Sequence, residues 1–316
     1  MRGMIVAAGL GTRLRPLTRY RAKPAVPVRG LPLIAYSLAF LARAGVDEVV
    51  INVHHLPESL IAAAERWCPS HLKLHFSHEP ELLHTGGAIR RVAGFLRESD
   101  PCVVLGGDMI LDFDLGAVIR RHQEGRHAAT LVLRDDPRAP RFGTIAVDGR
   151  GRVRRIARRL DLGGGERAGI YTWANLFSRH ALERLPDRDV FNHLDDWLGP
   201  LLSGGADDIR GVILPSTDCV WEPVGTLSEY LRVNLQPPDL SYLDPDALAR
   251  EDGTRIEGNC VIGRGAAIGT GARLRRVVVW DGEMIPDSFE AEDGVYAGGG
   301  FHPCGADPDA KGEALE

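Results

Sequence analysis

Short apolar segments alternate with amphipathic segments over most of the chain, from Met1 to about Asn234. Segments with the length and composition of β-strands are Met4–Ala8, Glu48–Val53, Leu72–Ser77, Cys102–Leu105, Ala129–Leu133 and Gly143–Val147. Apolar residues recur with helical spacing in Leu33–Ala44, Pro57–Trp67, Gly87–Phe95 and Leu115–Gln123. This alternation predicts β-α-β units and a Rossmann-like α/β fold, with a mixed, mainly parallel sheet and helices on both faces. Ligands of such sheets bind beyond the carboxyl ends of the strands.

A different pattern begins after residue 235. Residues 236–252 are rich in proline and aspartate, which predicts a linker. In residues 253–290 aliphatic side chains recur with a period of six, at Ile256, Ile262, Ile268 and Leu274. This period predicts a short left-handed parallel β-helix that packs on the first domain or on a second subunit, and a Gly-rich hairpin is the alternative. Residues 291–316 are predicted to be a polar tail.

Composition excludes several classes of function. The chain has 316 residues and a formal net charge of −5, so a broad nucleic-acid-binding surface is not expected. No stretch of eighteen apolar residues and no signal peptide are apparent, so neither a membrane span nor export is expected. The five cysteines lie far apart, which indicates reduced thiols in a cytoplasmic protein and not a zinc site or a disulfide framework.

The loop after the first strand has the composition of a phosphate-binding site. Gly9 and Gly11 open it, and Arg13, Arg15 and Lys23 follow. Glycines let backbone N–H groups approach an anion, and the cations add charge. The loop is not a dinucleotide fingerprint, because Leu14 stands where a third glycine is required, and no Walker motif is present.

An aspartate follows another apolar strand at the same predicted edge of the sheet. This strand ends at Gly106-Gly107, and Asp108 comes next. A carboxylate there, opposite the phosphate loop, can hold Mg²⁺ against a nucleotide. The alternative role of Asp108 is a helix cap.

These motifs resemble the G-x-G-[TS]-R-(L)-x-P…K-P signature of the sugar-phosphate nucleotidylyltransferases. The residues that match are Gly9, Gly11, Thr12, Arg13, Leu14, Pro16, Lys23 and Pro24. Enzymes of this family join an NTP to a sugar 1-phosphate and release pyrophosphate. The resemblance covers residues 1–235, and many relatives also carry a β-helical tail.

The resemblance implies roles for individual residues. Arg13 is expected to hold the leaving pyrophosphate, Lys23 to contact phosphate oxygens and Asp108 to bind Mg²⁺, with Gly107 beside the metal and the sugar. The residues expected to hold the nucleoside and its phosphates are Ala7, Ala8, Gly9, Gly11, Thr12, Arg13, Thr85, Gly86 and Gly87. The L-x-T-G-G segment around Thr85 resembles a branch that contains mannose-1-phosphate guanylyltransferases and N-acetylmuramate-1-phosphate uridylyltransferases. A plain threonine cap of a helix is the alternative for Thr85.

Two segments depart from the family pattern around the metal and the sugar phosphate. In Trp221–Thr226, Pro223 stands where the family has its second metal aspartate, and Glu222 lies one residue early. A shift of one residue on a strand turns a side chain to the other face, so Glu222 reaches the metal only if the backbone bends. The E-K-P motif is also missing, with Arg159 at best in place of its lysine.

The sugar-binding strand of the family has two possible matches. Tyr171–Phe177 resembles it, with Asn175 as the expected sugar-binding residue, and an alternative register uses 168–171. The sequence does not decide between these registers, and it does not identify the sugar, the base or the oligomeric state. A homo-oligomer formed through the C-terminal β-helix is a possibility that the hexapeptide pattern leaves open.

Two rival functions are also compatible with the sequence. One is a regulatory subunit that binds nucleotide sugars with little turnover, favoured by Pro223 and the missing E-K-P motif. The other is a cytidylyltransferase for choline phosphate or another non-sugar phosphate. The expected substrates are otherwise an NTP and a sugar 1-phosphate, with Mg²⁺ as the cofactor.

Overall fold

The computed structural model describes residues 1–139 and 142–305. The helices are α1 Leu33–Arg43, α2 Pro57–Trp67, α3 His84–Arg91, α4 Ala93–Leu96, α5 Leu115–Glu124, α6 Arg179–Glu183, α7 Gly199–Ser203, α8 Leu227–Leu235 and α9 Pro245–Glu251. The strands up to the end of the first domain are β1 Arg2–Val6, β2 Pro27–Val28, β3 Leu31–Pro32, β4 Glu48–Val53, β5 Lys73–His78, β6 Cys102–Gly106, β7 Met109–Asp112, β8 Ala129–Arg134, β9 Thr144–Val147, β10 Val153–Ile156, β11 Leu160–Asp161, β12 Arg167–Phe177, β13 Ile209–Leu214 and β14 Val220–Pro223. The later strands are β15 Arg255–Glu257, β16 Cys260–Ile262, β17 Ala267–Ile268, β18 Arg273–Val279, β19 Met284–Ile285, β20 Glu290–Ala297 and β21 Gly300–Pro303.

The predicted α/β architecture is present in the first domain. Strands β6, β1, β4 and β5 are neighbours and run parallel, as the β-α-β pattern requires. Beyond β6 the sheet continues through the long strand β12, which pairs antiparallel with β6, β8 and β9. The sheet is therefore mixed, with four adjacent parallel strands that carry the candidate site and a second parallel pair, β8 with β13.

Helices cover both faces of this sheet. One buried cluster packs residues of α1, α2 and α5 on one face, and a second packs residues of α3, α4, α6 and α7 on the other. The ends of several helices follow from local sequence. Pro57 is the first residue of α2, and the Asp114 carboxylate accepts a hydrogen bond from Ala117 N at 2.8 Å to cap α5. Among the described residues no helix is both long and apolar enough to cross a bilayer.

The segment predicted to be a linker contains a helix. Asp244 caps α9, and Pro245 is its first residue. Asp246 on this helix forms an ion pair with the buried Arg29 guanidinium, which also donates to Asn234 O at 3.0 Å. The proline and aspartate content that predicted a linker therefore belongs to a capped helix start that is attached to the first domain.

The C-terminal region contains short parallel strands that lie over one another, and the antiparallel strands β15 and β21 form the two edges of its five-stranded sheet. Strand β16 pairs with β18, β18 with β20, and β17 with β19, and the partners are 17 residues apart in each pair. This spacing is one residue short of three hexapeptides. Of the aliphatics that predicted the period, Ile262 is buried whereas Ile268 is exposed.

This region packs on the first domain. Val261, Val278 and Val295 lie at equivalent positions of the stacked strands, and they share a buried cluster with Tyr230 and residues of α1. The predicted tail is partly wrong, because all of β20 except its first residue and the whole of β21 fall within residues 291–303, and Val295 belongs to that cluster. Residues 306–316 of the predicted tail lie outside the described residues.

Candidate active site

A cleft of about 700 Å³ opens at the carboxyl ends of β1, β4, β5 and β6. Residues from loops that are distant in sequence line it together. The predicted site residues among them are Ala7, Ala8, Gly9, Gly11, Thr12, Arg13, Lys23, Thr85, Gly107 and Asp108. The glycine loop after β1 and the aspartate after β6 are thus neighbours in one cleft, as expected for the edge of a parallel sheet.

The two glycines of the loop after β1 serve different needs. Gly11 has a φ of +61°, and a Cβ there would lie 2.8 Å from Thr18 Cγ2 and 3.0 Å from Lys23 Cβ. A side chain at this position would therefore be strained and crowded. A Cβ on Gly9 would meet nothing within 4 Å, and Gly9 lines the cleft. Gly11 is thus required by the fold, whereas Gly9 leaves space for a ligand.

Lys23 and Asp108 form the central ion pair of the cleft. Lys23 Nζ donates to Asp108 Oδ2 at 2.7 Å, and the side-chain exposures are 10% for Lys23 and 42% for Asp108. Burial alone would raise the pKa of Asp108, but the charge and hydrogen bond of Lys23, together with Arg13, hold it below its ordinary value. The carboxylate is therefore ionised at neutral pH.

Arg13 lies beside the turn that begins α8. Its Nη2 is 3.7 Å from the position that a Cβ would take on Gly225, and both residues line the cleft. The turn is fixed by Glu229, whose Oε2 accepts from the backbone N–H of Gly225 at 2.8 Å and of Thr226 at 3.1 Å. Thr226 and Glu229 form a capping box that holds this side of the cleft in place.

Two buried polar residues at the base of the cleft are missing from the sequence-based site. Asn52 Oδ1 accepts from Ala7 N at 2.6 Å, and its Nδ2 donates to Glu79 Oε1 at 2.7 Å. Glu79 Oε2 in turn accepts from Leu83 N at 3.2 Å. This chain of bonds ties the loop after β1 to the segment before Thr85. A usable signal is present in the sequence, because Asn52 interrupts an otherwise apolar strand near its carboxyl end.

Gly86 and Gly87 do not bind a ligand through their amides. Both N–H groups donate to Phe191 O, at 2.8 and 3.2 Å. A Cβ on Gly86 would overlap the Phe191 ring, and one on Gly87 would overlap the Asp189 carbonyl oxygen. Their N–H groups are therefore not free to bind the nucleoside, and these glycines allow the start of α3 to pack against that segment. Thr85, by contrast, lines the cleft.

The side chain of Asn175 points into the protein interior and not into the cleft. It is 2% exposed, its Nδ2 donates to Val104 O at 3.3 Å, and its Oδ1 accepts from the Tyr171 hydroxyl at 2.6 Å. The prediction that Asn175 binds the sugar is therefore wrong. Ile170 and Tyr171 of the alternative register line the cleft, as does Trp173.

Glu222 is held outside the cleft by two arginines. Its Oε2 forms ion pairs with Arg138 Nη1 at 3.3 Å and with Arg232. The neighbouring Pro223 lines the cleft instead, opposite Met109 in the pairing of β14 with β7. The prediction that Glu222 is a metal ligand is wrong, because strand alternation turns its side chain away and the arginines neutralise it.

A family model described as nucleotidyl transferase matches residues 2–238, and the chain belongs to this family. The mannose-1-phosphate guanylyltransferase of Mycobacterium tuberculosis is 31% identical to it over 298 residues, which cover 89% of this chain and 80% of that protein. A UTP–glucose-1-phosphate uridylyltransferase of Synechocystis is 24% identical, covering 87% and 76% of the two chains. The fold is similar to that of HddC from Yersinia pseudotuberculosis, solved in complex with GMP-PN, with a TM-score of 0.60 and 22% identity over 74% of this chain and 97% of that one.

Proposed function

We propose that this chain transfers a nucleotidyl group from an NTP to a sugar 1-phosphate and releases pyrophosphate. The observation that carries the proposal is the Lys23–Asp108 pair, which lies beside the glycine loop in a single cleft. A volume of about 700 Å³ is within the range of ligand pockets. Family membership supports the same reaction.

The mechanism needs no covalent intermediate. The sugar-phosphate oxygen attacks the α-phosphorus in line, so catalysis depends on positioning and on stabilising charge. Arg13, beside the capped turn at Gly225, is suited to hold the departing pyrophosphate through two parallel hydrogen bonds. Lys23 is fixed by its bond to Asp108 and presents its charge to phosphate oxygens.

The residues of the cleft fit one Mg²⁺ ion that is shared with the substrate. The bond to Lys23 uses Oδ2 of Asp108, and the carboxylate is ionised and partly exposed. Within residues 1–139 and 142–305, no cluster of three or more His, Cys, Asp or Glu side chains could form a complete metal site. Mg²⁺ accepts such a partial site, because it commonly retains water and binds phosphates with one or two carboxylates. When bound, the ion would neutralise phosphate charge, with Asp108 as its ligand from this chain.

The most favourable substrate pair to test first is GTP with mannose 1-phosphate. This choice rests on the mycobacterial relative, which shares 31% identity over 89% of this chain. We further propose that the reaction takes place in the cytoplasm, where NTPs are available. We also propose that the stacked strands of the C-terminal region form a left-handed β-helix, and that this β-helix can support a homo-oligomer.

Pyrophosphate release by the purified chain tests the proposal. A panel of NTPs that includes GTP and CTP is used. Each NTP is combined with each of several sugar 1-phosphates and with choline phosphate, in the presence and in the absence of Mg²⁺. The expected result is Mg²⁺-dependent release that is fastest with GTP and mannose 1-phosphate. Release only with CTP and choline phosphate would identify a cytidylyltransferase, and nucleotide-sugar binding without release would identify a regulatory subunit.

A further inference from the structure

A chain of hydrogen bonds lies behind the cleft and ends at Thr85. Its members are Val104, Asn175, Tyr171, His193 and Thr85, which come from β6, β12, the π-helical turn His193–Leu198 and the start of α3. Asn175, Tyr171 and His193 are at most 2% exposed, so water does not compete for their hydrogen bonds. Each group in such a chain must be satisfied by its neighbours.

Which atom donates and which accepts in each of these hydrogen bonds follows from the first bond of the series, the one at Val104 O. Val104 O can only accept, so the atom of Asn175 that faces it is Nδ2, at 3.3 Å. Asn175 Oδ1 then accepts from the Tyr171 hydroxyl at 2.6 Å, which uses the one proton that this hydroxyl has. His193 Nε2 lies 2.9 Å from the same hydroxyl oxygen and must therefore donate to it.

This direction fixes the tautomer of His193. Burial lowers the pKa of His193 to about 3, so the ring is neutral and carries one proton. With that proton on Nε2, Nδ1 has only a lone pair. Thr85 Oγ1 lies 2.7 Å from Nδ1 and donates its hydroxyl proton to it, and Oγ1 also accepts from His193 N at 3.1 Å. A hydroxyl has one proton and two lone pairs, so one lone pair remains.

From this chain of bonds, we infer that His193 is a positioning residue that makes Thr85 a pure hydrogen-bond acceptor toward the cleft. Thr85 then selects a ligand group that donates, an N–H of the base or an O–H of a sugar, and disfavours a group that can only accept. A site of fixed polarity discriminates because a mismatched partner leaves buried polar groups unpaired. The ligand half of this inference, the selection of a donating ligand group by Thr85, rests on the proposed function. The tautomer half, the protonation of His193 at Nε2, does not.

The tautomer is measured first, by long-range ¹H–¹⁵N correlation spectra of the histidine side chains in the full chain. His193 is assigned by its missing signals in His193→Gln. The expected result is that Nε2 of His193 is protonated and Nδ1 is unprotonated at neutral pH. In Tyr171→Phe, which keeps the ring but removes the hydroxyl, this preference is expected to be lost. A protonated Nδ1 in the wild type would overturn the inference, whatever the activity of the protein.

Binding measurements then test the role of Thr85. Thr85→Val removes the hydroxyl with little change in shape, and Thr85→Ser retains it. The matched control is Thr130→Val, because Thr130 Oγ1 lies 2.9 Å from Nδ1 of the buried His122, outside the residues that line the cleft. Calorimetry with GTP and with mannose 1-phosphate gives Kd without turnover.

The expected result is a Kd raised on the order of tenfold for one of the two ligands in Thr85→Val, as for the loss of one neutral hydrogen bond. Thr130→Val is expected to bind as the wild type does, and Thr85→Ser, which keeps the hydroxyl, is expected to bind that ligand more tightly than Thr85→Val does. A higher Kd for GTP assigns the donor to the nucleotide, and one for mannose 1-phosphate assigns it to the sugar. Unchanged binding by Thr85→Val, or an equal loss in Thr130→Val, would overturn the role of Thr85. Binding of neither ligand to the wild type would overturn the proposed function and with it the ligand half, while the spectra still decide the tautomer.

Discussion

Replacing Asp108 by asparagine separates the contribution of its charge to catalysis from its contribution to folding. The change keeps the shape of the side chain, and the amide oxygen can still accept from Lys23 Nζ, which lies 2.7 Å from Oδ2 in the wild type. Because the Asp108 side chain is 42% exposed, solvent screens the ion pair. We therefore expect a loss of about 1 kcal/mol in the free energy of unfolding, or ~1–2 °C in Tm for a chain of this length.

The expected loss of activity is much larger. Under the proposed function, Asp108 is the ligand that this chain would give to Mg²⁺, and losses of this kind lower kcat on the order of 10²–10³-fold. The measurement is Mg²⁺-dependent pyrophosphate release with GTP and mannose 1-phosphate, together with thermal unfolding. The control is Asp112→Asn, because Asp112 accepts from Ser241 Oγ at 2.8 Å and is not among the residues that line the cleft. A rate within about threefold of wild type for Asp108→Asn, or an equal loss in the control, would refute this reasoning.

The stability difference also depends on pH in a defined direction. Burial would raise the pKa of Asp108, but Lys23 and Arg13 outweigh it, so the pKa in the folded state is lowered. The stabilisation is then fully present above the pKa of an unfolded aspartate and is lost as the pH falls through the lowered pKa of the folded state. We expect the gap in Tm between wild type and Asp108→Asn to close in that acid range. A gap that widens on acidification would contradict the assigned direction.

Three further predictions use other contacts of the structure. Gly9→Ala is expected to keep the Tm of the wild type but to lower kcat/KM at least tenfold, because the new Cβ enters the cleft. Gly87→Ala is expected to lose about 2–4 kcal/mol of stability, because its Cβ overlaps a backbone carbonyl. Equal melting temperatures for the two variants would argue against this account. Glu222→Gln is expected to leave the Mg²⁺ requirement unchanged and to lower the free energy of unfolding by about 1 kcal/mol, since the partners of Glu222 are arginines. A shifted Mg²⁺ titration would instead indicate that Glu222 is a metal ligand. Trp280→Phe removes the Nε1–H donor to the Tyr230 hydroxyl at 3.0 Å and is expected to lower the urea midpoint by an amount equivalent to about 1 kcal/mol, a change that unaltered unfolding would exclude.

Local pattern was sufficient for the strands and helices that carry the site. The predicted Glu48–Val53 and Pro57–Trp67 are observed with the same bounds, and Leu33–Ala44 differs by one residue. Apolar periodicity and proline position determine such elements, and both are properties of neighbouring residues. The meeting of the glycine loop, Lys23 and Asp108 could also be predicted, because the carboxyl ends of parallel strands lie at one edge.

The orientation of single side chains needed the tertiary structure. Strand β12 changes register between Tyr171 and Asn175, and Trp173 within that interval has a φ of +60°. A bulge of this kind shifts the alternation of faces, and no residue type in the sequence marks its position. The family resemblance implies Asn175 as a sugar-binding residue in one of two registers, whereas in the folded chain Asn175 anchors the hydrogen bonds that orient His193.

By itself, then, the sequence determined the fold class and the positions of the glycine loop and of the aspartate after β6, because each depends on residues that are close in sequence or on the common polarity of parallel strands. Only the tertiary structure decided that Glu222 is neutralised by Arg138 and Arg232, and that the C-terminal strands pack on the first domain. These contacts join residues far apart along the chain. Their free energy depends on burial and on the distance between charges, which local sequence does not specify.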